Sequence, residues 1–208
     1  MTIAQKVART LLKIGAVGFV PDNPITFKSG IISPVYIDNR KLPSHPHEWK
    51  VIIGSFAKII KKEKIKAEVV AGVETAGIPH SAALGFFMKT PSVFIRKEAK
   101  DHGTKKMVEG GSVLNKHVLL IEDLVTTGSS SLNAVENIRK AGGKISSCLV
   151  IVSYNFPSSR RAFNKAKVKL HTVTSFPVIL EEAKKLGMVH DDVLKKVSDW
   201  FHEYSNDN

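Results

Sequence analysis

Residues 116–131 read KHVLLIEDLVTTGSSS. Val118 to Ile121 are consecutive apolar residues, the signature of a short buried strand. Two carboxylates, Glu122 and Asp123, follow at its end, and then a turn of small polar residues, Thr126-Thr127-Gly128-Ser129-Ser130. Leu132, Val135 and Ile138 recur at helical spacing, so an amphipathic helix is expected behind the turn. A strand that delivers a small-residue loop onto a helix start makes an anion site. Backbone N–H groups and the helix dipole both converge on whatever fills the turn. Gly128 lets the backbone approach that ligand closely. Carboxylates directly before an anion cradle repel the anion, so they need a job that offsets the repulsion. Holding the two hydroxyls of a ribose, directly or through Mg²⁺, is such a job. Taken as pattern alone, the same strand, turn and helix also fit an ordinary α/β unit with Ser/Thr caps.

Outward from this unit the chain alternates. Trp49, Ile52, Ile53, Phe56 and Ile60 share one helical face. Glu68–Val73 reads as a strand, Ile78–Met88 as a helix and Ser92–Ile95 as a strand. The central helix is expected to end at Ala141-Gly142-Gly143. Ile145–Ser153 is the longest β-branched run. A short helix near Ser159–Lys165, a strand near Val168–Val173, and helices near Glu181–Leu186 and Asp192–Tyr204 follow, with Asp191-Asp192 as a cap for the last. Strands alternating with helices imply a parallel sheet covered on both faces, with ligands beyond the carboxyl ends of the strands. Glu74-Thr75-Ala76-Gly77 lies at one such end and Glu122–Ser130 at another. No repeat, low-complexity segment or linker interrupts residues 1–208, so one domain is expected.

The composition is that of a soluble globular chain, 43% hydrophobic and 24% charged. No apolar run reaches the roughly 18 residues of a membrane span. The N-terminal MTIAQKVARTLLKIGAV carries a capping-box pattern, Thr2-x-x-Gln5, and apolar Ile3, Val7 and Leu11. It reads as a structural helix rather than a targeting peptide. The one cysteine, Cys148, sits in an apolar run and implies a buried thiol in a reducing cytoplasm. Net charge is +12 with pI near 9.8, which invites a nucleic-acid reading. The cations are dispersed over Lys58–Lys66, Arg96–Lys106 and Arg160–Lys169 without aromatic interleaving. A polyanionic small substrate accounts for the middle cluster, and a solvated surface for the others. No nucleic-acid or membrane partner is expected. His45 and His47 flank Pro46, but no acidic or cysteine partner stands at metal-ligand spacing. Trp49 and Trp200, on apolar helix faces, are expected in the core or an interface.

Three segments carry a family resemblance. IEDLVTTGSS resembles the phosphoribosyl-pyrophosphate (PRPP) motif of type I phosphoribosyltransferases. FKSGIISPVYIDNR, residues 27–40, resembles the N-terminal signature of the orotate phosphoribosyltransferases, F-x-S-G-x-x-S-P-x-Y-x-D-N-R. By its chemistry alone this segment is an ordinary hairpin-like loop. Within Val93–Gly111, the run R-K-x-x-K-D-H-G is similar to that family's mobile catalytic loop, although its composition alone also fits a surface loop. GVETAGIPHSAAL, residues 72–84, resembles the first diphosphate loop.

The resemblance implies the type I phosphoribosyltransferase fold, an α/β parallel sheet with helices on both faces. Residues 1–40 and the C-terminal helices would contribute a small hood and cap. It implies Mg²⁺-dependent transfer of ribose 5-phosphate from PRPP to N1 of orotate. Lys100, His102 and Asp123 become the catalytic candidates. PRPP contacts are expected from Glu74, Thr75, Arg96, Lys97, Lys100 and His102, and from Glu122, Asp123, Leu124, Val125, Thr126, Thr127, Gly128, Ser129 and Ser130. Orotate contacts are expected from Lys28, Tyr36 and Thr126. Mg²⁺ would arrive on PRPP rather than on dedicated protein ligands, and a homodimer sharing the 96–111 loop between subunits is implied.

Two departures stand out. The first acid of the pair is Glu122 where many members have Asp, which lengthens that arm. Many members carry Asp-Arg after the strand that here ends at Ser153, the arginine meeting the orotate carboxylate. This chain has Tyr154-Asn155 there, leaving Thr126 and the hood amides as carboxylate partners. Two other functions fit parts of the pattern: the same fold acting on uracil or a purine, and a PRPP-sensing regulator that binds nucleic acid. The hood signature opposes the first, and the intact Arg96–Gly103 loop opposes the second.

Overall fold

The computed structural model describes residues 1–27, 30–98 and 106–205. In chain order the elements are α1 (Ile3–Lys13), β1 (Val17–Phe19), β2 (Ile25–Thr26), β3 (Ile32–Ser33), β4 (Val35–Ile37), a 3₁₀ turn (Asn39–Ser44), α2 (Pro46–Lys62), β5 (Val69–Val73) and α3 (Gly77–Met88). They continue with β6 (Ser92–Ile95), β7 (Val108–Glu109), β8 (His117–Val125), α4 (Ser129–Lys140), β9 (Lys144–Ser153), α5 (Pro157–Lys165), β10 (Lys169–Ser175), α6 (Phe176–Lys185) and α7 (Asp191–Ser205).

A six-stranded sheet runs in the order β10-β9-β8-β5-β6-β7. Every pairing in it is parallel except that of β6 with the short edge strand β7. All of β5 and the apolar run of β8 are buried, as expected for strands covered on both faces. Leu11, Ile52, Phe56, Leu84 and Ile179 pack on one face from α1, α2, α3 and α6; Val135, Ile138 and Phe163 pack on the other from α4 and α5. The capping box at Thr2 and Gln5 forms, and Cys148 is buried in β9. Among the described residues no helix is long and apolar enough to cross a membrane.

The central strand is longer than its apolar run. It continues through Glu122 and Asp123 to Val125, because β9 keeps pairing with it as far as Val125↔Ser153. Hydrophobicity marks the buried part of a strand, whereas the hydrogen-bond ladder sets its end. Asp191 and Asp192 lie inside the first turn of α7, where their charge complements the helix dipole. Trp49 Nε1 donates to His80 Nδ1 at 2.9 Å across α2 and α3. Burial lowers the His80 pKa to about 4, so this neutral imidazole is a packing group.

Residues 17–27 and 30–37 form the hood above the carboxyl end of the sheet: β1 pairs with β4, and β2 with β3, both antiparallel. Its anchor is aromatic. Tyr154, just past β9, is fully buried between Phe27 of the hood, Phe156 and Phe176, with ring centroids 5.0–5.6 Å apart. Trp200 of α7 meets Tyr154 edge-on at 5.9 Å, and its indole N–H donates to the Ile32 carbonyl at 2.7 Å. Lys196 of the same helix pairs with Asp22. The last helix therefore holds the hood down. Trp200→Phe, which keeps a ring and loses the hydrogen bond, is expected to cost about 1 kcal/mol. Trp200→Ala is expected to cost on the order of 3 kcal/mol in urea unfolding. Equal costs for the two variants would remove the hydrogen bond from this account.

Candidate active site

The carboxyl edge of the sheet brings four segments together: the turn after β8, the loop after β5, the ends of β6 and β7, and the residues that follow β4.

The turn after β8 is built as its sequence suggests. Gly128 has φ +87° and caps α4, and an added Cβ there would lie 2.7 Å from Phe163 Cε2. Glycine is therefore required twice over, by conformation and by space. Ser129 and Ser130 open the helix, and the Thr127 and Ser129 hydroxyls lie 3.1 Å apart. No side chain caps α4, so its first N–H groups face the turn. Thr126 and Thr127 are half-buried, Leu124 packs against the core, and the Val125 carbonyl accepts from Tyr154 N–H at 3.0 Å.

The two acids differ in setting. Glu122 is buried at 5% exposure; its Oε1 accepts from Asp123 N–H at 3.1 Å and its Oε2 from the Ser131 hydroxyl at 3.2 Å. Asp123 is half-buried, nearer the surface, and its carboxyl hydrogen-bonds that of Glu122. Burial, and then the neighbouring Asp123 charge, push the Glu122 pKa well upward. Burial also raises Asp123, against the lowering effects of Glu122 and of Arg40. Two carboxyls this close cannot both ionise cheaply, so the Glu122 proton is held more tightly than that of a free carboxyl.

The loop after β5 is tight. A Cβ on Gly72 would lie 2.6 Å from the Gly77 carbonyl oxygen, and one on Gly77 would lie 2.7 Å from that of Ile121. These glycines press the start of α3 against the sheet. The Glu74–Thr75 peptide is cis. Glu74 turns away from the anion turn: its Oε2 accepts from Lys97 N–H at 2.9 Å. Thr75 is exposed. Arg96, directly after β6, is half-buried, 3.6 Å from Glu109 of β7, and its Nε donates to the Glu98 carbonyl. Lys97 thus starts the connecting segment beside Glu74. Lys28, Lys100 and His102 lie outside the described residues.

Two residues of the D-N-R run, quoted above within the hood signature but given no role, belong here. Asn39 is fully buried and its Nδ2 donates to the Asp123 carbonyl at 2.9 Å. Arg40 Nε donates to Asp38 Oδ1 at 2.6 Å, and its Nη2 to the Tyr36 hydroxyl, also at 2.6 Å. The spacing of that run gave the sequence signal, but only the fold reveals that it abuts the acid pair.

The arrangement offers an anion cradle, adjacent acids able to accept hydroxyl hydrogens, and cations at the mouth. Among the described residues no three His, Cys, Asp or Glu side chains cluster as a metal cage. Two adjacent carboxyls suit Mg²⁺ that is shared with substrate phosphates, since Mg²⁺ commonly uses one or two carboxylates plus phosphate oxygens.

Residues 39–183 match the model of the phosphoribosyl transferase domain. Orotate phosphoribosyltransferase of Lactococcus lactis subsp. lactis is 39% identical over 94% of this chain and 93% of its own length. The crystal structure of orotate phosphoribosyltransferase from Aeropyrum pernix superposes with a TM-score of 0.76 at 30% identity, covering 88% of this chain and 99% of that one. Leishmania donovani UMP synthase gives a TM-score of 0.85 at 26% identity, over 97% of this chain and 42% of that longer one. With the turn after β8, the acid pair and the hood in one place, these matches put the chain in the phosphoribosyltransferase family, among the orotate phosphoribosyltransferases.

Proposed function

We propose that this chain transfers the ribose 5-phosphate group of PRPP to N1 of orotate, giving orotidine 5′-monophosphate and diphosphate for pyrimidine synthesis. The observation that carries this reading is the acid pair at the end of β8, set directly before the uncapped start of α4. In this reading Thr126, Thr127, Gly128, Ser129 and Ser130 hold the 5′-phosphate, and Asp123 meets the ribose hydroxyls with Glu122 behind it. Leu124 and Val125 carry the backbone between these two contacts. The amides of Glu74 and Thr75 meet the diphosphate, together with Arg96, Lys97, Lys100 and His102. Tyr36, Thr126 and Lys28 border the base.

Departure of diphosphate from C1 builds positive charge on the ribose, as in other glycosyl transfers. The site works by stabilising the departing anion and the cationic ring more than the ground state. Lys100 neutralises diphosphate, and His102 donates a proton or hydrogen bond to it. Asp123, whose carboxyl pKa burial raises and Arg40 partly offsets, lies on the side of the ring where positive charge grows. Orotate needs no strong base, because its N1 proton leaves as the C–N bond forms. Mg²⁺ bound with PRPP would add positive charge at the diphosphate and ribose oxygens. We read the chain as a single domain acting in the cytoplasm, consistent with the buried thiol of Cys148.

We also infer a homodimer, with the 96–111 segment reaching the neighbouring site. α3 is apolar around its circumference, yet Phe86 is 90% exposed and Phe87 56%. A helix of that composition is normally covered, and a second copy of the chain is the cover proposed. Phe86→Glu with Phe87→Glu is expected to give monomers in sedimentation analysis; an unchanged dimer would move the interface elsewhere.

The deciding assay follows orotate depletion by absorbance, with PRPP and Mg²⁺, beside uracil, hypoxanthine and adenine. Loss of orotate that requires both PRPP and Mg²⁺ is expected. Turnover of another base alone would discard the hood reading, and turnover of none would favour a regulator. Lys100→Ala should keep the fold and lose on the order of 10²–10³ in rate; near-normal turnover would remove Lys100 from the mechanism.

The acid pair also predicts a pH signature. A carboxyl whose folded pKa is raised adds stability below its unfolded value, here about 4.5, and loses it as pH rises through the folded value. Glu122→Gln, a neutral near-isostere, is expected to melt increasingly above wild type as pH rises from 4.5 to neutrality. A constant difference across that range would mean that Glu122 is ionised in the folded protein.

A further inference from the structure

Orotate differs from uracil by a carboxylate on C6, the atom next to N1. Because N1 bonds to C1 of the ribose, that carboxylate must lie at the seam between base and sugar. Burying it there without a cation is costly. Tyr154, where many relatives of this pattern carry the acidic member of an Asp-Arg pair, is sealed in an aromatic stack, and exposed Asn155 carries no charge. Arg160 lines a separate cavity with Phe163 and Lys167.

Arg40 stands between the Tyr36 and Asp123 surfaces, where the reading above puts that seam. Its neighbour Asn39 is tied to the main chain of Asp123, on the ribose side, while Arg40 itself binds the Tyr36 hydroxyl, on the base side. A guanidinium has five N–H donors. Asp38 takes the one on Nε and Tyr36 takes one on Nη2. The end-on edge, formed by Nη1 and the second hydrogen of Nη2, has no further partner among the described residues. That edge is the fork that receives a carboxylate with two parallel hydrogen bonds. Asp38 and Tyr36 hold the fork in position, so little side-chain freedom is lost when a ligand binds. The Arg40 side chain is still 63% exposed and open to an entering substrate. Its effect on the Asp123 carboxyl agrees with this placement.

We propose that Arg40 binds the C6 carboxylate of the pyrimidine through its end-on guanidinium edge, at the junction of the Tyr36 and Asp123 surfaces. This makes it the residue that distinguishes orotate from uracil. The assignment rests on the orotate reading above and deepens it.

The test compares binding of orotidine 5′-monophosphate with uridine 5′-monophosphate, which lacks only the carboxylate, by titration calorimetry on wild type, Arg40→Gln and Arg40→Lys. Wild type is expected to prefer the orotidine nucleotide. Arg40→Gln should weaken orotidine 5′-monophosphate about 10- to 100-fold, the range for losing hydrogen bonds to a charged group, and leave the uridine nucleotide within about 3-fold. Arg40→Lys, which keeps the charge and loses the fork, should fall between, and its melting curve guards against misfolding. Equal weakening of both nucleotides by Arg40→Gln would overturn the proposal and assign Arg40 to the sugar or phosphate end. Wild type that turns over orotate but binds both nucleotides alike would also overturn it. Wild type that neither binds these nucleotides nor consumes orotate would instead overturn the pyrimidine reading on which it stands.

Discussion

The parallel ladder between β8 and β9 is the constraint on which the site depends. It runs from His117↔Lys144 to Val125↔Ser153, with one register shift between Val118 and Leu119. Its last rungs keep Val125, Val150 and Val152 in the core while carrying the polar chemistry of Glu122 and Asp123. They hold Glu122 and Asp123 on a rigid backbone and end where the turn into α4 begins. They also deliver Tyr154 to the Val125 carbonyl at the foot of the hood. The turn into α4, the acid pair and the hood anchor are thus spaced by one set of backbone hydrogen bonds. A slip of one residue would reverse which side chains face the core and which face the site.

Charge is arranged along the same axis. Lys61 and Lys62 of α2, Arg139 and Lys140 of α4 and Lys165 of α5 stand in last helical turns. In a parallel sheet those turns lie at the amino edges of the strands, beside Lys116, Lys144 and Lys169. Each helix gains from a cation at its C-terminus, and the topology gathers these separate gains on one face. Cations dispersed along the sequence therefore converge in space, away from the site. The fields that matter to a polyanion at the carboxyl edge come instead from the helix start at Ser129, from Arg40 and from Arg96.

Much of this was legible in the sequence, for identifiable reasons. β6 was bounded correctly because its apolar run is short and flanked by turn residues. α4 was visible from its periodicity and from the glycines after it. The turn into α4 was readable because its requirements are local: small residues, a glycine and a helix start. What escaped was non-local. Nothing in residues 122–125 reveals that they remain in a strand, since that is decided by a partner nearly thirty residues away (Glu122↔Val150). The inward turn of Glu122 depends on Ser131 reaching it from the next helix. Asn39 and Arg40 were in plain view inside a motif, but their relation to Asp123 exists only once the chain from 39 to 123 has folded.

Tyr154-Asn155 at the end of β9 links stability to recognition. An arginine after β9 would have to keep its charge solvated or paired, and would leave the underside of the hood polar. A tyrosine there can be buried, and burial drives its phenol far above the usual range, so it remains a neutral aromatic body. Phe27, Phe156 and Phe176 close around it, and Trp200 of α7 joins the stack. The hood gains an apolar floor and the last helix gains a docking surface. Any cation for an anionic base must then come from the rim rather than the floor. Among the described residues of the hood and the 3₁₀ turn that follows it, Arg40 is the cation hydrogen-bonded to Tyr36 and next in sequence to the residue that holds Asp123. The aromatic mass beneath the hood and the guanidinium at its rim thus divide the work at this end of the sheet, one holding the hood and the other left to meet a charge.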